Sequence, residues 1–246
     1  MRLRNKMEMS IRIGLLILVA LLVIYVIKSG AFQFMAANVD DLIFLAGQHL
    51  KLVAISSLAA IFVAVPLGIF VTRPKFKRFE FITVNIANVG QTIPSIAILA
   101  LVMSYLGIGW KTAVFALWFS SLLPILRNTI AGLNSVHPAI LDAGKGMGMT
   151  QRQLLLKIEI PNALYAIIGG IRTAVVINVG TAALAFLIGG GGLGDLIFTG
   201  ISLYDTGIML AGAVPVILLA ISIDLLIGIV EKLVIPKGLQ RNVETI

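Results

Sequence analysis

The stretch LDAGKGMGMTQRQLLLKIEIP, Leu141–Pro161, turns from small and polar to apolar within one short loop. His137-Pro138 just before it predicts a helix start, because proline at the first helical position gives up an N–H that would have no partner there. Ala139 and Ala143 then share one face, as do Asp142 and Gly146. Gly144, Gly146 and Gly148 are expected to end that helix, since glycine tolerates the positive φ of a helix C-terminus. Thr150 and Gln153 have capping-box spacing, so a second helix should begin at once. Leu154, Leu155 and Ile158 give it an apolar stripe, and Pro161 is expected to stop it. The reading is a helix–glycine–helix hairpin anchored on its apolar side, with Asp142 and small residues turned outward to dock another molecule. A plain surface loop, its glycines merely permitting a turn, is the competing reading.

The sequence on either side decides where such a hairpin can sit. Hydrophobic residues make up 59% of the 246 positions and charged residues 12%, about half the charged share of a soluble domain. That leaves too little polar surface for a water-facing globule. A membrane helix needs about 20 apolar residues, and six such runs occur, near 11–28, 51–72, 81–104, 111–131, 163–188 and 208–230. The expected class is an all-α membrane protein. The formal charge of +8 does not point to nucleic acid, because the cations cluster beside the apolar runs as membrane flanks do. There are no cysteines, which excludes disulfides, thiolate chemistry and most zinc sites.

Lys and Arg placement orients the spans. Fifteen of the nineteen fall on one side: Arg2, Arg4, Lys6, Arg12, Arg73, Lys75, Lys77, Arg78, Arg127, Lys145, Arg152, Lys157, Lys232, Lys237 and Arg241. Lys28, Lys51 and Lys111 fall on the other, and Arg172 lies within a span. Both termini and the hairpin are thus expected in the cytoplasm, on a multi-pass chain. The basic lead and first run also suit a signal peptide, but Ala36 and Ala37 lie too far beyond the apolar core for cleavage, so a retained anchor is favoured. The organisation is then residues 1–50, holding the tail, first span and outer linker; a core of 51–231 with a cytoplasmic loop at 132–162; and a tail at 232–246.

The spacing Asp142-Ala143-Gly144, Gly148, Ile158 and Pro161 resembles the E-A-A-x₃-G-x₉-I-x-L-P signature of ABC-importer permease subunits, with Asp for Glu, Gly144 for the second Ala and Ile160 for Leu. QTIPSIAILALVMSYLGIG (Gln91–Gly109), LPILRNTIAGL (Leu123–Leu133) and LIGGGGLGDLIFTGI (Leu187–Ile201) are similar to permeases of the osmoprotectant importers. The resemblance covers about residues 50–230. It implies a MetI-like permease core with an additional N-terminal span, in which the hairpin is the coupling helix held by a separate ATPase. It further implies two ATPase subunits that bind ATP and Mg, with no cofactor on this chain. A second permease, the same chain or a paralogue, and a separate periplasmic or lipid-anchored solute-binding protein complete the implied complex. The solute would be glycine betaine, choline or carnitine, its aromatic cage expected on the binding protein. Gly189, Gly190, Gly191, Gly192 and Gly194 would belong to the outer gate and the surface receiving that protein; a flexible turn is the alternative.

Two charges fall inside spans, where ionisable residues mark function or partners. Arg172 and Asp224 lie at similar depths, which suits either an ion pair or separate snorkelling toward water. Pro66, Pro94 and Pro215 predict kinks. Gln91, Thr92, Pro94 and Ser95 are the most polar mid-span group and are read as lining the translocation path, with interhelical hydrogen bonding as the alternative.

Other functions fare worse. Gly144-Lys145 is followed by Gly146 rather than Ser or Thr, and position 139 is alanine where a phosphate loop requires glycine. The only histidines are His49 and His137, and neither a nucleophile elbow nor a metal motif occurs. A stand-alone channel or secondary transporter is the alternative, distinguished by uptake without ATP or a binding protein.

Overall fold

The structure is a computed structural model that describes residues 2–235. Lys237, Arg241 and the rest of the 232–246 tail beyond 235 lie outside the described residues. Among those described, all regular structure is helical. In chain order the helices are α1 (Arg2–Lys28), α2 (Ala31–Ala37), α3 (Val39–Val71), α4 (Lys77–Gly90), α5 (Ser95–Leu106), α6 (Trp110–Asn134), α7 (Pro138–Gly146), α8 (Gln151–Leu154), α9 (Ile160–Thr181), α10 (Gly194–Ser202) and α11 (Thr206–Val234). A π turn, Leu155–Glu159, joins α8 to α9, and a 3₁₀ segment, Ala182–Ile188, continues α9.

Four helical stretches are long and apolar enough to cross a membrane: α3, α6, the run Gln151–Ile188, and α11. Two bent pairs, Arg12–Lys28 of α1 with α2 and α4 with α5, bring the number to six if each pair is one span. Counted so, each expected span has a helical counterpart, but three depart from their predicted shape. The outer linker is helical: α3 begins at Val39, and its 33 residues extend about 50 Å, well beyond a hydrocarbon core of about 30 Å. The 81–104 span is not one rod. It breaks between Gly90 and Ser95, and the halves diverge by 100°. Pro94 causes this, since it has no N–H to continue the ladder and holds the preceding residue out of the α region. The chain then restarts with Pro94 as the N-cap of α5. Pro66 and Pro215, by contrast, lie within helices that run on past them.

The third departure concerns Pro161. It does not stop a helix but lies one residue into α9, within a run that is continuous from Gln151. The π turn makes this possible. Ile160 N–H donates to Leu155 O, five residues back, and this wider turn relieves the contact between the proline ring and the preceding backbone. The Asn162 side-chain amide donates to Ile158 O at 2.7 Å and so partners a carbonyl beside the proline.

The most central helix is α6, which packs chiefly against α3 and α9 and also against α4 and α5. Small residues set those approaches, as in membrane bundles generally. A Cβ at Gly68 of α3 would lie 2.7 Å from Thr129, and one at Gly170 of α9 would lie 2.5 Å from Asn128, both on α6. The outer surface of α1 is apolar and exposed, including Leu16, Leu18 and Leu21, as suits a helix whose solvent is lipid.

Candidate functional site

The 138–161 loop closes one end of the bundle. The His137 ring Nδ1 accepts from Ala139 N–H at 3.2 Å, and Pro138 takes the first helical position. At the far end of α7, Gly148 has φ 74, Gly148 N–H donates to Lys145 O at 2.9 Å, and Met149 N–H donates to Gly144 O at 3.1 Å. These bonds form a Schellman motif, which satisfies the last carbonyls of the helix. The expected capping box is present: Thr150 Oγ1 accepts from Gln153 N–H, and Gln153 Oε1 accepts from Thr150 N–H.

Only Gly148 ends the helix in the predicted manner. Gly144 is buried within α7, where its bare Cα faces Leu154 and Ile158. A Cβ there would come within 2.6 Å of Leu154 Cδ2 and 2.7 Å of Ile158 Cδ1. Both atoms end flexible side chains, so alanine requires only their rotation and gains up to about 1 kcal/mol of helix propensity over glycine. Gly144→Ala is therefore expected to leave the loop as firmly seated as in the parent. Gly144→Leu should overpack the contact by about 1–3 kcal/mol, loosening α7 from its support. Limited proteolysis of the loop in purified protein separates the two variants, with faster cleavage expected only for Gly144→Leu.

The base of the loop is fastened to the bundle. Arg73, just past α3, pairs with Glu159 in the π turn and donates from Nε to Ile69 O at 3.1 Å. Asn134 at the end of α6 donates to Glu80 Oε1 of α4 at 2.6 Å. Leu155 packs onto Leu133 and Ala163, joining α6 to α9. The face turned away from the bundle holds Ile140, Asp142, Ala143 and Met147, all exposed. Asp142 accepts from Lys145 Nζ at 2.9 Å in an exposed pair, whose contribution to stability is small. The loop is thus rigidly seated, with an acidic and apolar outer face.

At the opposite end, the glycine run is a tightly fitted turn. Gly189, Gly191 and Gly192 have φ between 69 and 92. Gln48 Oε1 accepts from Gly192 N–H at 3.1 Å, and a Cβ at Gly191 would lie 2.4 Å from that same oxygen. His49, buried beside it, hydrogen-bonds Val179 O through Nε2 at 2.9 Å. These contacts hold the turn against α3, and α3 against the end of α9. Gln48 escaped the sequence reading, and His49 drew notice only as one of two histidines, because both sat in what looked like a linker.

Within the bundle, Arg172 and Asp224 form a two-pronged pair. Arg172 Nε donates to Oδ1 at 2.5 Å and Nη2 to Oδ2 at 2.6 Å. Nη1 also reaches Glu231 Oε2 at 3.4 Å. Asp224, Gly228 and Glu231 follow i, i+4, i+7 spacing and so share one face of α11. Gly228 sits beside the guanidinium, which a Cβ there would meet at 3.6 Å, an ordinary contact distance. That spacing was the available signal for Glu231, which had appeared to lie outside the span.

Gln91 and Ser95, flanking the break between α4 and α5, line a cavity of about 210 Å³ shared with α6 and α9. Thr92 and Pro94 do not line it. Thr92 Oγ1 instead donates to Val89 O at 2.7 Å and closes the turn. The four residues are therefore divided between making the break and facing the cavity.

A multi-span helical bundle with a rigid loop at one end and a broken, polar-lined span inside has the architecture of a transport permease. The chain belongs to the family described as binding-protein-dependent transport system inner membrane component, whose model matches residues 64–236. It is 45% identical over 207 residues to the glycine betaine/carnitine/choline transport system permease protein OpuCB of Bacillus subtilis, covering 84% of this chain and 94% of that one. It is 44% identical over 216 residues to the osmoprotectant import permease protein OsmY of Salmonella typhimurium, covering 88% and 92%. Among solved structures, the MetNI methionine ABC transporter in an inward-facing conformation matches with a TM-score of 0.70 at 22% identity, over 79% of this chain and 96% of that one. The fold is thus MetI-like. The chain is a permease subunit of an ABC importer, a transport component whose ATPase is a separate subunit.

Proposed function

We propose that this subunit carries a small osmoprotectant such as glycine betaine, choline or carnitine across the bacterial inner membrane by alternating access. The supporting observation is the similarity to permeases of that description along nearly the whole of their length. Two ATPase subunits, binding ATP and Mg, grip the outer face of α7, with Asp142, Ala143 and Gly148 on the gripped element. Gly144, Ile158 and Pro161 belong to the support beneath, which passes the force into α9. Because α8, the π turn and α9 form one continuous run, a displacement of the loop moves the α9 span with no intervening hinge. A second permease, this chain or a paralogue, completes the path.

On this reading both termini and α7 lie in the cytoplasm, which the cation bias of the sequence supports. The turn at Gly189–Gly194 then faces outward, as part of the gate and of the surface where a solute-binding protein delivers its cargo. Gln91 and Ser95 face the path, while Thr92 and Pro94 shape it.

Reconstitution of the full complex in vesicles tests this reading. Labelled glycine betaine, choline and carnitine should accumulate only with internal ATP and with binding protein outside. Equal uptake without ATP would favour a secondary transporter or channel.

A further inference from the structure

Beyond Gln91 and Ser95, the cavity beside the α4–α5 break is lined by four polar residues, Ser120, Ser121, Thr173 and Asn178, of which Ser121 of α6 and Asn178 of α9 are the buried ones. They are 2% and 1% exposed. The Ser121 hydroxyl and the Asn178 side-chain carbonyl have no hydrogen-bond partner among the described residues, whereas buried polar groups are almost always paired. A buried helical serine or threonine can satisfy itself on the carbonyl four residues back. Ser56 does so on Leu52 O at 2.7 Å, and Thr129 on Ile125 O at 2.8 Å. Ser121 does not. Asn178 Nδ2 is held by the hydroxyls of Ser56 and Ser57 at 2.8 and 3.1 Å. That grip fixes the amide so that its oxygen is the group left over.

None of the residues lining the cavity is charged or aromatic. Its volume, about 210 Å³, is several times the share of about 30 Å³ that a liquid water occupies, so it admits one small solute. We propose that Ser121 and Asn178 form a transit subsite for a small quaternary-ammonium solute. The hydroxyl offers a donor to the carboxylate or alcohol of the solute. The amide oxygen faces the methyl groups around its cationic nitrogen. Without an aromatic cage, whose attraction for such cations is strong, the solute is held loosely enough to leave, as a conducting path requires.

This inference rests on the importer reading, and one experiment separates the two. The chain has no cysteine, so Ser121→Cys introduces its sole thiol. In the reconstituted complex, the probe is a methanethiosulfonate bearing a trimethylammonium-ethyl group, with modification read as a mass shift on this chain. Modification is expected during ATP turnover and should fall several-fold in saturating glycine betaine or choline. Thr112→Cys is the control: Thr112 is equally buried, bonded to Gly107 O, and not part of the cavity lining. It should stay unmodified.

Ser121→Ala should raise the KM for solute entry about tenfold, the scale of one lost hydrogen bond. An unmodified Ser121→Cys in a complex that still transports, modification without solute protection, or an unchanged KM for Ser121→Ala would each overturn the subsite. Absence of uptake by the unsubstituted complex would overturn the importer reading and this inference with it.

Discussion

Adding one methyl group at Gly194 should abolish stable accumulation of the subunit in membranes. A Cβ there would lie 1.9 Å from Ala183 O, 2.7 Å from Ala183 C and 3.0 Å from Ala183 Cα. All three atoms are backbone, so no side-chain rotation relieves the overlap. The cost therefore exceeds the ~1–3 kcal/mol typical of overpacking that a core absorbs by local shifts. The strain would also spread. A Cβ at Gly200 would lie 2.2 Å from Met209 N, and one at Gly212 would lie 2.8 Å from Ile197 N and 2.9 Å from Leu193 O. The 3₁₀ segment, α10 and the start of α11 are thus stacked backbone to backbone, and moving α10 to accommodate a methyl at Gly194 disturbs its contacts with α11. Gly180→Ala is the control. Nothing lies within 4 Å of its missing Cβ, and alanine favours the helix by up to about 1 kcal/mol. Quantitative immunoblotting of membranes should show Gly180→Ala at or above the parent level and Gly194→Ala nearly absent. Comparable levels for both would mean that the turn is soft, and the proposal that it serves as a fitted gate element would fall.

What the sequence disclosed divides along physical lines. Span number, the helix start at His137-Pro138, the capping box at Thr150 and Gln153, and the closure at Gly148 were all legible, because each depends on residues within a few positions of one another. The loop residues Asp142 to Pro161 could be placed together for the same reason, although the role of Gly144 could not. Its burial depends on Leu154 and Ile158 folding back across the turn. Pro161 misled because the usual rule holds for an α ladder, and a π turn changes the ladder. The 100° break at Pro94 was legible only as a kink; its size depends on how α4 and α5 pack on α6. Ser121 and Asn178 carry no signal in one dimension, since an unpartnered hydroxyl looks the same as a satisfied one until its neighbours are known.

The ion pair between Arg172 and Asp224 makes a prediction with a defined order of severity. An ionisable residue inside a membrane is tolerated when it is paired, so reversing one partner should harm more than neutralising it. Arg172→Glu would leave three carboxylates together, at 172, 224 and 231, with no cation between them. Asp224→Arg leaves two cations but retains Glu231, which already lies 3.4 Å from Arg172. Arg172→Glu should therefore reduce membrane accumulation most, by several-fold or more, Asp224→Arg less, and Asp224→Asn least. Arg172→Lys should also be impaired, because an ammonium cannot reproduce the forked contact to both carboxylate oxygens. The deciding variant is the exchange, Arg172→Asp with Asp224→Arg, since a reciprocal swap restores charge pairing while altering geometry at both positions. If the pair fastens α9 to α11, the exchanged protein should recover much of the accumulation lost in either single reversal. Its uptake should recover less, because α9 is the span joined directly to the loop and, in the coupling mechanism proposed above, its alignment on α11 sets the stroke. Accumulation of the exchanged protein no higher than that of the worse single variant would show that each charge serves a partner other than the one it touches here.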